Sequence, residues 1–196
     1  VRPFEELLEE AAIVHGALCA GQVLGVRLAM KACRELGIDE PRDSKRLIVF
    51  VETDRCAADA IETVTGCRLG RRTLKHVDYG KMGATFLDVT TGRAVRVAAQ
   101  PDSRDKVRAL FPDTDDPKEA QIAGYRSLPE DELFSIETVA VDIPPEDMPG
   151  RPVSRTACAR CGEEISDRRE VVEGDVVLCR ACSRGPYYRA LDSSDA

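Results

Sequence analysis

Tryptophan is absent from the 196-residue chain, histidine occurs twice, and aromatic residues make up only 5%. So sparse an aromatic set argues against the stacking platforms on which single-stranded nucleic acid is usually held. A surplus of positive charge is also missing: the formal net charge is -7, the opposite of a surface built around a phosphate backbone. No apolar run approaches the roughly 20 residues that a membrane-spanning helix needs. The opening segment VRPFEELLEEAA is acidic and amphipathic, unlike a secretory leader. These readings predict a cytoplasmic protein without membrane contact.

What remains is a chain with 43% hydrophobic and 32% charged residues, the balance of a globular protein. Its length suits one well-cored domain with a small satellite module. Eight cysteines in a cytosolic setting point to metal ligands or reactive thiols in preference to disulfides. Cys19, Cys33, Cys56 and Cys67 are scattered through the first third, whereas Cys158, Cys161, Cys179 and Cys182 crowd the end.

Apolar residues at Phe4, Leu7, Leu8, Ala11 and Ala12 have helical spacing, with glutamates on the opposite face. A second helix is predicted over Ala20 to Leu36, stopped by Gly37. RLIVFVET reads as a buried strand, followed by a helix capped by Asp54 and stopped at Gly66. ATFLDVTTGRAVRVAAQ reads as a β-hairpin, and two short helices are predicted around Arg104 to Phe111 and Pro117 to Leu128. A further strand is predicted in ELFSIETVAVDI, before PPEDMPGRP breaks regular structure with four prolines. Gly21 and Gly25, spaced by four on one helix face, read as a packing device, and Cys33 as core.

CARC at Cys158 to Cys161 and CRAC at Cys179 to Cys182 are separated by 17 residues, the spacing of a four-thiolate zinc site. The intervening REVVEGDVVL supplies a hairpin that folds both turns around one tetrahedral ion. Iron held as in rubredoxin is the alternative that softness and geometry leave open. Arginines between Arg151 and Arg189 make the module locally basic; a solvated surface explains them more simply than nucleic-acid binding.

At the other end, Gly16 is a poor helix-interior residue, so the first helix should stop near His15 and leave Cys19 just before the second. Cys56 falls in the first turn of the helix after RLIVFVET. Both thiols then sit at helix starts, where the dipole and free N–H groups favour thiolate. That placement points to a ligand pair or a reactive pair.

The segments VHGALCAGQVLGVRLA, ETDRCAADAIETVTGCRLGRRTL and DYGKMGATF, in this order, resemble the E subunit of formylmethanofuran dehydrogenase (FmdE). DIPPEDMPGRP with the ribbon is similar to the longer members of that family. The family pattern His-Gly-His-x-Cys-Pro-Gly is matched by His15, Gly16, Cys19 and Gly21, with Ala17 and Ala20 in place of its second histidine and its proline. The resemblance implies that His15, Cys19 and Cys56 hold zinc or another transition metal with an open position, in a protein that forms a homodimer. It also implies Cys67 as a fourth candidate ligand or redox partner, and Lys81 of DYGK as a candidate contact for an anion or a metal-bound water. Cys67 and Lys81 are thus the two catalytic candidates, while His76 reads as a surface histidine.

The expected architecture is α+β, with helices packed on an antiparallel or mixed sheet over residues 1–143. A proline-rich linker over 144–156, a zinc ribbon over 157–190 and a flexible tail over 191–196 complete it. The expected function is a metal-binding accessory of a molybdenum or tungsten oxidoreductase complex. The alternatives are a stand-alone metal-dependent enzyme and a metal-sensing regulator whose ribbon binds nucleic acid or protein.

Overall fold

The computed structural model describes residues 2–112 and 114–191; of the tail expected at 191–196, all but Leu191 lies outside the described residues. The chain divides into two compact units, Val1–Asp142 and Ile143–Ala196. Among the described residues no helix is long and apolar enough to cross a membrane.

The first unit is α+β. Helix α1 (Phe4–His15) buries Leu7, Leu8 and Ala11, and ends at Gly16, whose φ of 90° places it in the left-handed region. Helix α2 (Ala20–Leu36) ends likewise at Gly37. A short α3 (Pro41–Ser44) leads into strand β1 (Leu47–Val51), and α4 (Cys56–Thr65) follows. Then come β2 (Leu74–His76), β3 (Gly83–Asp88), β4 (Ala94–Ala99), α5 (Ser103–Leu110), α6 (Pro117–Ser127), α7 (Glu130–Leu133) and β5 (Phe134–Val139).

The five strands form one mixed sheet in the order β2-β1-β3-β4-β5. Only the β1–β2 pair is parallel, with Val49 opposite Leu74; the other neighbours are antiparallel. Helix α2 is the hub, packing on α1, α4, α6 and strands β3 and β4. Its buried Val23, Val26 and Ala29 join Leu7, Val49, Phe86 and Val97 in one continuous core, to which Cys33 also belongs.

The α2–α4 contact depends on small residues. A Cβ on Gly25 would lie 2.7 Å from the Ala57 carbonyl oxygen and 2.7 Å from Ala60 Cβ. Only hydrogen fits there, which is the packing role predicted for Gly21 and Gly25.

Three local expectations need correction. Asp54 does not cap α4: the capping position is Arg55, in extended backbone and without a side-chain cap, and Cys56 is the first helical residue. The strand expected from Glu132 begins at Phe134, because Glu130–Leu133 form the turn of helix α7 after Pro129. The parallel strand β2, which the three residues Leu74–His76 are too short to announce as a periodic pattern, was not anticipated.

The second unit holds two small hairpins, β6 (Arg155–Ala157) with β7 (Glu164–Ser166), and β8 (Val171–Glu173) with β9 (Val176–Leu178), before a short α8 (Arg180–Arg184). The segment expected as a linker takes part in this unit. Asp147 pairs with Arg169, and the Val153 N–H donates to Asp167 at 3.0 Å. Its buried hydrophobic cluster is only Cys158, Ile165 and Leu178.

Candidate metal centres

In the second unit the Sγ atoms of Cys158, Cys161, Cys179 and Cys182 all lie within 4.8 Å of one another. The two CxxC turns come from different places: Cys158 and Cys161 follow β6, while Cys179 caps α8 and Cys182 sits within it. The Cys179 N–H donates to Cys158 Sγ at 3.2 Å and the Cys182 N–H to Cys179 Sγ at 3.3 Å. Backbone N–H groups, that of Cys161 first and that of Cys179 next, pull the Cys158 thiol down to about 6. Cys182 is pushed up to about 12, chiefly by its hydrogen bond with the Cys179 thiol. Four sulfurs this close become thiolates together only around a cation, which is the chemistry of a tetrahedral zinc site.

In the first unit, His15, Cys19 and Cys56 come together, one ligand atom from each lying within 4.8 Å of the other two. Each is placed by a helix end. His15 is the last residue of α1, Cys19 is the N-cap of α2 with φ -144° and ψ 165°, and Cys56 opens α4. The left-handed Gly16 turns the chain between the first two. A Cβ on Gly21 would be 3.1 Å from Cys56 Cβ and 3.7 Å from Cys19 Sγ, so the glycine lets the two helix starts approach.

His15 Nδ1 lies 2.7 Å from Asp59 Oδ2. A carboxylate on one ring nitrogen fixes the tautomer and leaves Nε2 as the free donor, as in many metal-bound histidines. The Gln22 side chain donates to the Cys56 carbonyl at 3.2 Å and ties α2 to the start of α4. The expectation that both thiols ionise easily is corrected for Cys56, which is pushed up by burial first and then by its hydrogen bond with Cys19. Burial and a second thiol outweigh the helix dipole at this position.

The two catalytic candidates are not among the residues that converge here. Cys67 is 3% exposed, and its thiol donates to the Leu47 carbonyl at 3.5 Å. The nine further residues of α4 separate Cys56 from the turn carrying Cys67, a rise of about 13 Å. Cys67 is therefore corrected to a core thiol, and burial pushes its pKa up. Lys81 is exposed with Nζ 5.7 Å from the Tyr79 ring centroid, and it is not among the residues lining the cleft beside Cys56. His76 is exposed at the end of β2.

Sequence reasoning missed Asp59. It stands three residues after Cys56 in α4, on the same helix face, and that spacing was a usable signal. The cleft beside Cys56, with a volume of about 540 Å³, was missed as well. Its lining residues come from separate segments.

A family model described as "FmdE, Molybdenum formylmethanofuran dehydrogenase operon" matches residues 14–135, a span that contains His15, Cys19, Cys56 and Asp59. The chain belongs to the FmdE family. A second model, the prokaryotic dksA/traR C4-type zinc finger, matches residues 151–188 of this FmdE-family protein and assigns zinc to the four-cysteine cluster.

The protein is 29% identical over 207 residues to a "Probable S-adenosyl-L-methionine-binding protein" of Archaeoglobus fulgidus. That match covers 94% of this chain and 54% of the relative, so the chain spans about half the length of the curated protein it matches. Its fold is shared with an FmdE-like protein of the tungsten formylmethanofuran dehydrogenase type from Syntrophus aciditrophicus. The TM-score is 0.64 at 22% identity, covering 95% of each chain.

Proposed function

We propose that His15, Cys19 and Cys56 hold a second metal, zinc by the softness of two thiolates and one imidazole, alongside the zinc of the C-terminal finger. The observation that carries this is the convergence of one ligand atom from each of the three residues within 4.8 Å, with Asp59 on Nδ1 of His15. Zinc bonds of about 2.0–2.3 Å space ligand atoms roughly 3.5–4 Å apart, which small side-chain rotations reach from here. When bound, an ion with three protein ligands supplies a fourth position at which water or a donor atom of a small molecule is polarised.

The chain's own residues define what that position can do. Asp59 orients the imidazole, Gly21 keeps the two helix starts close, and the cleft beside Cys56 gives a small molecule access. In this reading the protein is a metal-binding accessory of an oxidoreductase of the molybdenum or tungsten formylmethanofuran dehydrogenase class, and works as a homodimer. The family's description, which names such an operon, supports the accessory role. The cleft favours a second reading, in which the isolated protein itself binds or converts a small molecule at the metal; the name of the Archaeoglobus fulgidus relative points the same way.

Metal analysis of the full chain tests the site. Wild type should carry two metals, and His15→Ala and Cys158→Ala one each, lost from different sites. One metal in wild type, unchanged in His15→Ala, would sink the N-terminal assignment. The accessory role is tested by affinity purification from the native host, where failure to recover any molybdenum or tungsten enzyme would refute it. The second reading predicts a turnover by the isolated chain that Cys56→Ala abolishes with the fold intact.

A further inference from the structure

Three helices begin at one cleft. Ala20 and Gly21 open α2, Cys56 opens α4 behind Arg55, and Ser103 and Arg104 open α5; all six line the same cavity of about 540 Å³. None of the three helices has a side-chain cap. Their positive dipole ends therefore add at one place.

The side chains carry the same sign. The chain is acidic overall, with a net charge of -7, yet the charged residues lining this cleft are Arg55 and Arg104, and no carboxylate is in the lining. In the same unit Arg34, Arg42, Arg46, Arg68, Arg96 and Arg126 each pair with an aspartate or glutamate. Among the described residues Arg55 and Arg104 have no such partner. Two hydroxyl residues in the lining, Thr53 at 7% exposure and Ser103 at 4%, are more than nine-tenths buried, and neither hydroxyl has a hydrogen-bond partner among the described residues. Neither oxygen is sealed from solvent, so each is open to the cleft and free to hydrogen-bond a polar ligand there.

We propose that this cleft binds a small oxyanion-bearing molecule, its carboxylate or phosphate held by Arg55 and Arg104 with Thr53 and Ser103. The volume falls within the roughly 300–1,000 Å³ of small-molecule sites. Met82, Leu24 and Tyr125, also in the lining, offer the rest of the ligand an apolar wall. Because Cys56 is part of the wall, a ligand anchored at the arginines extends toward the open metal position; that last feature rests on the metal reading above, whereas the anion anchor does not.

The test is titration calorimetry on the zinc-loaded full chain with inorganic phosphate and, separately, succinate, comparing wild type, the Arg55→Gln/Arg104→Gln double variant and Arg108→Gln. Arg108 lies on α5 outside this cleft and serves as the charge control. At least one probe should bind wild type and Arg108→Gln alike, and bind the double variant at least tenfold more weakly. The tighter probe then identifies the oxyanion as phosphate or carboxylate. Equal affinity in wild type and the double variant, or no binding of either probe to wild type, overturns the proposal. Metal content is measured on the same samples. Loss of anion binding with two metals retained separates this site from the metal centre, and one metal in wild type refutes the metal reading without touching the anion result.

Discussion

Asp88 is fully buried at the end of β3, where it accepts hydrogen bonds from Arg46 Nε at 3.1 Å, the Thr90 N–H at 3.0 Å and the Thr91 hydroxyl at 2.8 Å. The Arg46 hydrogen bond is the largest cause that lowers its pKa from 3.8 to about 2. A carboxylate depressed on folding stabilises the fold above its unfolded pKa and loses that contribution as pH falls through the folded value. Stability worth about 2 kcal/mol should therefore disappear between about pH 4 and pH 2, and Asp88→Asn should flatten this part of the profile of unfolding free energy against pH. At the metal site, Asp59→Asn should weaken binding of the N-terminal metal about tenfold, measured by chelator competition, because the carboxylate that orients His15 is gone. Its effect on the four-cysteine zinc should be nil. At Gly25 even one methyl group meets backbone 2.7 Å away, so Gly25→Ala should lower the stability of the first unit by about 1–3 kcal/mol in urea unfolding.

Helix ends decide both candidate sites. His15 closes α1, Cys19 precedes α2 and Cys56 opens α4, so three donors from separate segments reach one point. The same helix α4 carries Cys67 away. After ten helical residues the chain turns at Gly66, and Cys67 enters the core beneath β1, on the Leu47 carbonyl. Cys67→Ala should accordingly leave the metal count unchanged and cost about 1 kcal/mol from lost packing, read by metal analysis and thermal unfolding of the same sample. Retention of fewer metals in this variant would return Cys67 to the ligand set. The stop signals in these elements, Gly16, Gly37 and Gly66, all have positive φ, and each was readable because only glycine takes that conformation cheaply. The start of α4 was misplaced because Asp54 looks like a cap, and the side-chain oxygen that would confirm one is visible only in three dimensions.

The two units draw on different sources of stability. Val1–Asp142 has a continuous hydrophobic core running from Leu7 to Phe134, whereas the cluster of buried hydrophobic residues in Ile143–Ala196 consists of Cys158, Ile165 and Leu178. So small a core leaves metal binding as the main contribution to folding of the second unit. Stripping zinc with a strong chelator should therefore abolish amide protection across β6 to α8 while α1, α2 and the five-stranded sheet keep theirs, as read by hydrogen-exchange mass spectrometry. Protection retained in β8 and β9 after complete zinc loss would contradict this.

Spacing along the chain was enough for whatever depends on neighbours in sequence. Two CxxC turns 17 residues apart specify a four-thiolate site, and helical spacing with a glycine stop specifies α1 and α2. His15, Cys19 and Cys56 were legible as a group through helix-end reasoning and the family resemblance, since each lies at a boundary that the sequence marks. The bond from Asp59 to His15, the burial of Cys67 and the cleft shared by Arg55 and Arg104 link residues 20 to 49 positions apart. Such relations depend on how helices pack across one another, where a single methyl group at Gly25 matters. Local propensity carries no record of that packing, and only the tertiary structure decides which uncapped helix starts face the same space.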